Sequence, residues 1–521
     1  MPADQSRPAL SRPSALYVLL TVAAVALSFF FALGRSPLFD VDEAAFSQAT
    51  IEMFERGDFL STYLNGKPYY DKPILVFWLQ AASVRLFGVS EFAFRFPSAV
   101  CASVWVLLTF LFARRRFGSN PALLTAGVMA TSLGVYVIGR TGTTDALLNM
   151  LIAASMFAAW LYLETGKRAW SYTAFVTIGL GFLAKGPVAI LIPLAVTFAF
   201  CLLRRDLKTW VRAVFDWRGL LLFAAVAMPW YIFILHREGW PFVQGFFLKH
   251  NVNNYLGTLQ GHSGSPLYYI PVVLIGTLPF TTFFIAALSR VREAWRDDLQ
   301  CYLWLWFAFV FAFFSLSGTK LPHYLLYGMT GMFILMGIYG QQVRLRFWTF
   351  LPPLLASVLL LALPAIVDIA LPSVRDAYYR EAVSGANQYF GTGYFAFAAA
   401  AIALTVYFML EQRFELSRKL VVSGAIGVVG LSAFVVPVGA GVQQEPIRQA
   451  ALLARAKGYE VIMWGLDAPS FSVYYGRPTQ SREPRPGDVV ITKAKNLVEL
   501  PGYGFDLIYA KNGIVLIRVT G

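Results

Sequence analysis

The chain has 521 residues, of which 57% are hydrophobic and 14% charged. Soluble domains carry about 25% charged residues, so water is excluded as the solvent of most of this chain. The net charge of +14 would suit nucleic acid in a soluble protein. In a lipid-embedded chain it reads as loop topology, and no nucleic-acid partner is expected.

Apolar runs long enough to cross a hydrocarbon core recur along the sequence, and they give about thirteen spans of about 20 residues each. Their centres fall near Ala24, Val104, Ala130, Ala154, Ile178, Ala195, Ala227, Leu274, Phe309, Phe333, Leu360, Ile402 and Val429. Backbone groups in lipid must bond within their own segment, so these spans are helices. The stretch Ser14 to Gly34 is long for a signal peptide and reads as a retained first span. The spans near Ile178 and Ala195 are interrupted by Lys185-Gly186-Pro187 and form either two short helices or one re-entrant pair. Cys101, Cys201 and Cys301 form no CxxC pattern, so neither a disulfide framework nor a thiolate metal site is indicated.

Loops carrying Arg114-Arg115-Arg116, Lys167-Arg168, Arg204-Arg205, Arg290, Arg292, Arg344, Arg346, Arg413 and Lys419 alternate with loops of another kind. The positive-inside rule makes the basic set cytoplasmic, together with the N-terminus, and an odd span count places the C-terminus outside. The opposite side holds a long first loop, residues 35–95, and most of the chemically versatile side chains. A transporter needs polar groups near mid-membrane and a channel needs them along a pore. Polar groups gathered at one interface suit an enzyme acting on the outer leaflet.

In that first loop, Asp40, Asp42 and Glu43 put three carboxylates within four residues. The following segment, Glu43 to Arg56, carries Phe46, Ala49, Met53 and Phe54 at helical spacing and is expected to lie on the membrane surface. Asp42 can cap this helix and Glu43 can favour its dipole. Three crowded acids exceed what a cap requires, and their mutual repulsion can raise one pKa toward that of a useful base. A second surface helix is expected from Tyr69-Tyr70-Asp71-Lys72-Pro73. A helix start offers free N–H groups to an anion such as phosphate, and Lys72 stands there; the plainer reading is an Asp71–Lys72 surface pair.

The tail, residues 443–521, changes composition. Ala450 to Lys457 reads as a helix. Short β-like runs follow at Glu460-Val-Ile-Met-Trp, Ser472-Val-Tyr-Tyr, Asp488-Val-Val-Ile, Phe505-Asp-Leu-Ile-Tyr and Gly513-Ile-Val-Leu-Ile-Arg-Val. The expected domains are therefore a membrane domain, 1–442, and a small soluble α/β domain, 443–521, without a nucleotide-binding fingerprint.

The segment FDVDEAAFSQATIEMFERGDFLSTYLNGKPYYDKPILVFWLQ resembles the first outer loop of the GT-C membrane glycosyltransferases. Among these it is similar to the bacterial aminoarabinose–lipid A transferase and protein O-mannosyltransferase group. The blocks EFAFRFPSAV, TGTTDALLNMLIA, FLAKGPVAILIP, KHNVNNYLGTLQGHSGSPLYYIPVVLIGTLPF and FSLSGTKLPHYLLY agree in the same order over roughly residues 15–340. The resemblance implies an all-α polytopic GT-C fold with an extracytoplasmic C-terminal domain, acting as a monomer in a bacterial inner membrane. It implies inverting transfer of a sugar from polyprenyl (undecaprenyl) phosphate to an acceptor on the periplasmic face. Lipid A, lipopolysaccharide or another envelope glycan is the first expectation. Protein O-glycosylation is the alternative, and a lipid-linked sugar flippase is the alternative of another class. By residue, the resemblance implies catalytic roles for Asp42 and Asp145, and Glu43, from the same crowded carboxylates as Asp42, is a further catalytic candidate. Lys72, Lys320 and Tyr324, with Arg95 and Lys185 as secondary candidates, would bind the donor phosphate. Asp71 and His250 stand where the lipid A enzyme holds residues near a divalent metal, Zn or Mg.

Overall fold

The computed structural model describes residues 14–253, 257, 264–343, 346–500 and 502–521. Arg7, Arg12, His262 and Arg344 lie outside this set, as does the side chain of His250. Every expected span centre falls on a helix. Among the described residues seven helices are long and apolar enough to cross a bilayer unaided, and an eighth span forms if Ser119–Thr131 and Leu133–Arg140, bent by 62°, are taken together. Ala15–Phe29, Val188–Leu203 and Pro266–Gly276 are apolar but shorter. The expected span centres thus fall on helices of unequal length, some of them shorter than a full crossing. Breaks such as Lys185-Gly186-Pro187, where Gly186 has φ +84°, divide the apolar stretches into shorter helices.

Asp145–Thr165 sits centrally and packs against Glu91–Phe117 and Arg168–Lys185. Small residues let the spans approach closely, because without a hydrophobic drive between helices in lipid it is van der Waals contact that holds them. At Gly337, on the helix Leu326–Gly340, a Cβ would lie 2.0 Å from Thr125 Oγ1 and 2.7 Å from the Pro121 carbonyl oxygen. We expect Gly337→Val to cost about 1–3 kcal/mol through overpacking, read as a lower Tm of the detergent-purified chain.

The first loop is built differently from a pair of helices on a bilayer surface. Asp42–Arg56 buries Glu43, Ala44, Ala45, Phe46, Ser47, Gln48, Ala49, Thr50, Glu52 and Met53, while Phe54 of its expected apolar face is exposed. It is covered by protein on most sides, by the helix Leu75–Phe87 and by the C-terminal helix Pro469–Tyr475. The polar residues at its buried positions are what a membrane-surface reading had not accommodated. Between the two loop helices, Tyr63–Leu64 pairs antiparallel with Lys67–Pro68. The turn Asn65-Gly66 has φ +51° and +80°, which suits the two positive-φ positions of a tight hairpin. The buried Glu52 carboxylate accepts from both turn amides, Asn65 N at 2.6 Å and Gly66 N at 3.1 Å. The second helix begins at Leu75, so Asp71 and Lys72 stand before its first turn rather than in it.

The C-terminal region forms a four-stranded sheet in the order Val461–Met463, Val489–Lys493, Ile514–Thr520, Gly504–Lys511. The first pair is parallel and the other two are antiparallel. Side chains alternate between its faces. Met463, Ile491 and Leu516 pack with Phe471 and Ala450 on one side, while Ile462, Val490 and Ile517 form a second core on the other. The helix Glu445–Lys457 opens the region. Ser472-Val-Tyr-Tyr, expected as a strand, belongs to the helix Pro469–Tyr475. Pro469 occupies its first turn, Gly476 ends it at φ +78°, and Phe471 meets Tyr475 four residues on with rings 5.5 Å apart.

Candidate active site

One cavity of about 890 Å³ contains most of the residues singled out in the sequence. Its apolar end runs between helices, past Leu133, Val137, Val273, Leu326, Met329 and Phe333. Its polar end is lined by Asp40, Asp42, Asp71, Lys72, Asp145, Lys249, His323, Tyr324 and Asp467. No described hydrogen bond or ion pair uses the Asp42 carboxylate. Asp42 lies in the first turn of its helix and makes no cap, so the capping role does not account for it. Burial raises its pKa above the usual aspartate range; the Lys72 charge opposes this, while Asp71 and Asp145 add to it.

Lys72 Nζ contacts Asp71 Oδ1 at 2.8 Å, and Tyr69 donates its hydroxyl to Asp71 Oδ2 at 3.2 Å. A metal at Asp71 would have to displace this ammonium. Among the described residues no group of three His, Cys, Asp or Glu side chains has the arrangement to hold an ion. The side chain of His250, the other residue expected near a metal, lies outside the described residues, and no step below passes through a metal.

Asp145 opens the helix Asp145–Thr165 and is almost fully engaged. Its Oδ1 accepts from Lys185 Nζ at 2.6 Å and from the Tyr327 hydroxyl at 2.7 Å, and Thr143 donates to Oδ2 at 3.3 Å. His323 Nε2 lies 3.7 Å from Oδ1. Burial pushes His323 down to about 4 against the pull of Asp145, so near neutral pH this contact is dipolar rather than an ion pair. Lys185 also stands 5.4 Å from the Tyr324 ring, which faces the cavity.

Glu43 and Arg95 hold each other. Arg95 Nε donates to Glu43 Oε1 at 2.8 Å and its Nη2 donates to Oε2 at 2.8 Å. The remaining Arg95 donors reach the carbonyls of Leu33, Ser36 and Pro37. Glu43 also accepts from Phe39 N at 2.9 Å and Gly142 N at 2.8 Å. Burial alone would raise Glu43, but the Arg95 charge and these hydrogen bonds hold it below the usual range. The pair therefore ties the start of the first loop to the turn that precedes Asp145. Gly142 permits this approach: a Cβ there would sit 3.1 Å from the Phe94 carbonyl oxygen and 3.4 Å from Glu43 Oε1.

Asp42, Asp71, Lys72, Asp145 and Tyr324, spread over nearly three hundred positions of sequence, thus meet in one wall, and Glu43 borders them. Arg95, Lys185 and Lys320 do not line the cavity. Lys185 stands behind Asp145, and Lys320 is buried with its ammonium on the Ser317 carbonyl. The sequence reading missed three participants. Lys249 adjoins His250 in a block it had marked, and the phenol of Tyr327 could have been suspected four residues past His323. Asp467 carried no signal, since it lies in another domain.

Three comparisons agree with this picture. Residues 71–233 match the dolichyl-phosphate-mannose-protein mannosyltransferase family. The undecaprenyl phosphate-alpha-4-amino-4-deoxy-L-arabinose arabinosyl transferase of Pseudomonas aeruginosa (strain UCBPP-PA14) is 30% identical over 378 residues, covering 70% of this chain and 66% of the relative. This chain thus spans about two thirds of that relative's length. An uncharacterized protein of Aquifex aeolicus is 28% identical over 331 residues, covering 63% of this chain and 74% of the relative. In fold, the chain is similar to the crystal structure of ArnT from Cupriavidus metallidurans bound to undecaprenyl phosphate. That match has a TM-score of 0.79 at 20% identity and covers 97% of this chain and 98% of that one. The archaeal oligosaccharyltransferase AglB from Archaeoglobus fulgidus follows with a TM-score of 0.53 at 13% identity, covering 97% and 74%. The chain is a multi-pass membrane protein of GT-C type that resembles the bacterial aminoarabinose transferase and protein O-mannosyltransferase group.

Proposed function

We propose that the chain is an inverting glycosyltransferase that moves a sugar from a polyprenyl phosphate to an acceptor at the periplasmic face of a bacterial inner membrane. The observation that carries this is the two-ended cavity. Its apolar end, between helices, suits a lipid chain, and its polar end suits a phosphate and a sugar. An apolar channel leading to a carboxylate and a lysine is what a lipid-borne phosphosugar needs.

The reaction breaks the bond between the anomeric carbon and the carrier phosphate oxygen. The acceptor oxygen attacks from the opposite face, and positive charge develops on the sugar in the transition state. The bond electrons leave with the phosphate, whose growing negative charge Lys72, Lys249 and the Tyr324 hydroxyl can stabilise from the cavity wall. When the acceptor is a hydroxyl, Asp42 takes its proton. When it is a phosphate, Asp42 orients the acceptor and balances charge. Glu43, Arg95, Lys185 and Asp145 hold the loops that carry these groups. Replacing Lys72 with Ala removes a charge-assisted contact and should raise the donor KM roughly 10- to 100-fold, checked by initial rates against donor concentration.

The acceptor we favour is lipid A, which the resemblance to the aminoarabinose–lipid A transferase group implies; relatives of about 30% identity are named undecaprenyl phosphate-alpha-4-amino-4-deoxy-L-arabinose arabinosyl transferases, which supports the donor side of that reading. Mass spectra of lipid A from a strain lacking the gene, beside a complemented strain, test this. Loss of one glycosyl mass that returns on complementation is expected, and identical spectra would reject lipid A. The match of residues 71–233 to protein mannosyltransferases favours a protein acceptor as the second reading. Loss of glycoprotein staining with unchanged lipid A would select it.

A further inference from the structure

The C-terminal domain does more than sit over the membrane core. Its Asp467 lines the same cavity as Asp42 and Lys72. Asp467 is exposed, and no described hydrogen bond or ion pair uses its carboxylate. Burial raises Asp40 and the Tyr69 phenol, and the Asp467 charge adds a smaller push to both.

Contacts on both sides fix where this carboxylate stands. Ser470 N donates to Asp40 Oδ1 at 2.8 Å, and the Ser470 hydroxyl donates to Asp40 Oδ2. The Tyr474 hydroxyl accepts from Leu38 N at 2.8 Å and donates to Glu91 Oε1 at 3.0 Å. With its amide turned to satisfy both neighbours, Gln444 donates to the Leu38 carbonyl at 3.2 Å and to Asp40 Oδ2 at 3.0 Å, and it accepts from Asp40 N at 3.2 Å. Asn65 Oδ1 accepts from Thr479 N at 3.2 Å. Asp40 precedes Asp42 by two residues and Ser470 follows Asp467 by three, so the Asp40–Ser470 contact holds both carboxylates in one frame.

The chemistry at this end is one-sided. Asp40, Asp42, Asp71 and Asp467 face the cavity with Lys72, already on Asp71, and Lys249, while Glu43 and Asp145 also line it but are held by Arg95 and Lys185. Asp40 is taken up by Ser470. An anionic group brought against Asp467 would be repelled, whereas a hydroxyl or ammonium could donate to it.

We propose that Asp467, carried on the C-terminal domain, is a specificity-determining residue of the transfer site that accepts hydrogen bonds from hydroxyl or ammonium groups of the carrier-borne sugar. This rests on the carrier-sugar reading above and adds which sugars pass. Amino and neutral sugars are accepted and uronic acids are not.

The test uses the full chain in detergent with polyprenyl-phosphate donors bearing an amino sugar, a neutral hexose or a uronic acid. Asp467→Asn should raise the KM for the amino-sugar donor about tenfold, with kcat within about threefold and acceptor KM unchanged. Asp467→Glu should restore most of that loss. Asp467→Lys should move the ratio of uronic acid to amino sugar transfer upward by about tenfold or more. Unchanged donor preference in Asp467→Asn and Asp467→Lys would overturn the proposal, as would an effect confined to acceptor KM. Failure of the unaltered chain to use any of the three donors would instead overturn the carrier-sugar reading, and this inference with it.

Discussion

Asp42→Asn should remove nearly all transfer while leaving donor binding in place. The change keeps the shape of the side chain and removes its capacity to take a proton. General-base contributions are typically about 10²–10⁴-fold, and a loss of that size in kcat is expected with a hydroxyl acceptor. Because no described group holds the Asp42 carboxylate, the substitution breaks no other contact, and the Tm should not move by more than a degree or two, in line with about 0.5 kcal/mol for such a site. The pH profile gives a further check. Burial raises Asp42, so the acid limb of kcat should lie above the ordinary aspartate value of 3.8. Activity is present above that pKa, where Asp42 is ionised, and is lost as pH falls through it. Lys72 favours the ionised form, so Lys72→Met should shift the limb to still higher pH.

Arg95→Ala acts on the frame rather than on the chemistry, and its expected effect on stability is the largest of any single substitution considered. It leaves the Glu43 carboxylate buried with only the amides of Phe39 and Gly142, and it orphans the carbonyls of Leu33, Ser36 and Pro37. Removing one partner of such a buried pair costs about 3–5 kcal/mol. Glu43→Ala should cost a similar amount, and the double variant should cost clearly less than the two losses added together, because the pair is one unit. Thermal unfolding of the four proteins completes that cycle. Additive losses would mean that the two residues act separately. Partial loss of transfer is expected too, since the same hydrogen bonds bring the Asp42 loop to the turn before Asp145.

The membrane class was legible from the sequence because apolar length is a local property, and the GT-C layout was implied by the resemblance of blocks such as FDVDEAAFSQATIEMFERGDF and FSLSGTKLPHYLLY. Asp42, Lys72 and Asp145 were also legible, since each stood in a recognisable block. What could not be read is how side chains choose partners across long separations. Arg95 and Lys185 were secondary candidates for the donor phosphate, but each is paired with a buried carboxylate, Glu43 and Asp145 respectively. The helix Asp42–Arg56 has an apolar stripe suited to a bilayer, yet its buried Gln48, Thr50 and Glu52 show that protein covers it. Thr50 donates to Gln80, Gln80 donates to the Gly142 carbonyl, and Glu52 holds the Asn65-Gly66 turn. Ser472 to Tyr475 failed as a strand because β-forming aromatics outweighed Pro469 and Gly476 as boundary signals. Asp467 lies more than four hundred residues from Asp42, and only the docking of the C-terminal domain brings the two to one cavity.

The central claim is that this cavity breaks the bond between a sugar and a polyprenyl phosphate. The most direct measurement is mass spectrometry of undecaprenyl-phosphate sugars incubated with the purified chain and an acceptor extract. The account predicts that one donor disappears, that free undecaprenyl phosphate accumulates in equal amount, and that neither happens with Asp42→Asn. Carrier and sugar that stay joined in the presence of every donor and acceptor supplied, while the intact lipid crosses a proteoliposome bilayer, would contradict it and identify a transporter instead.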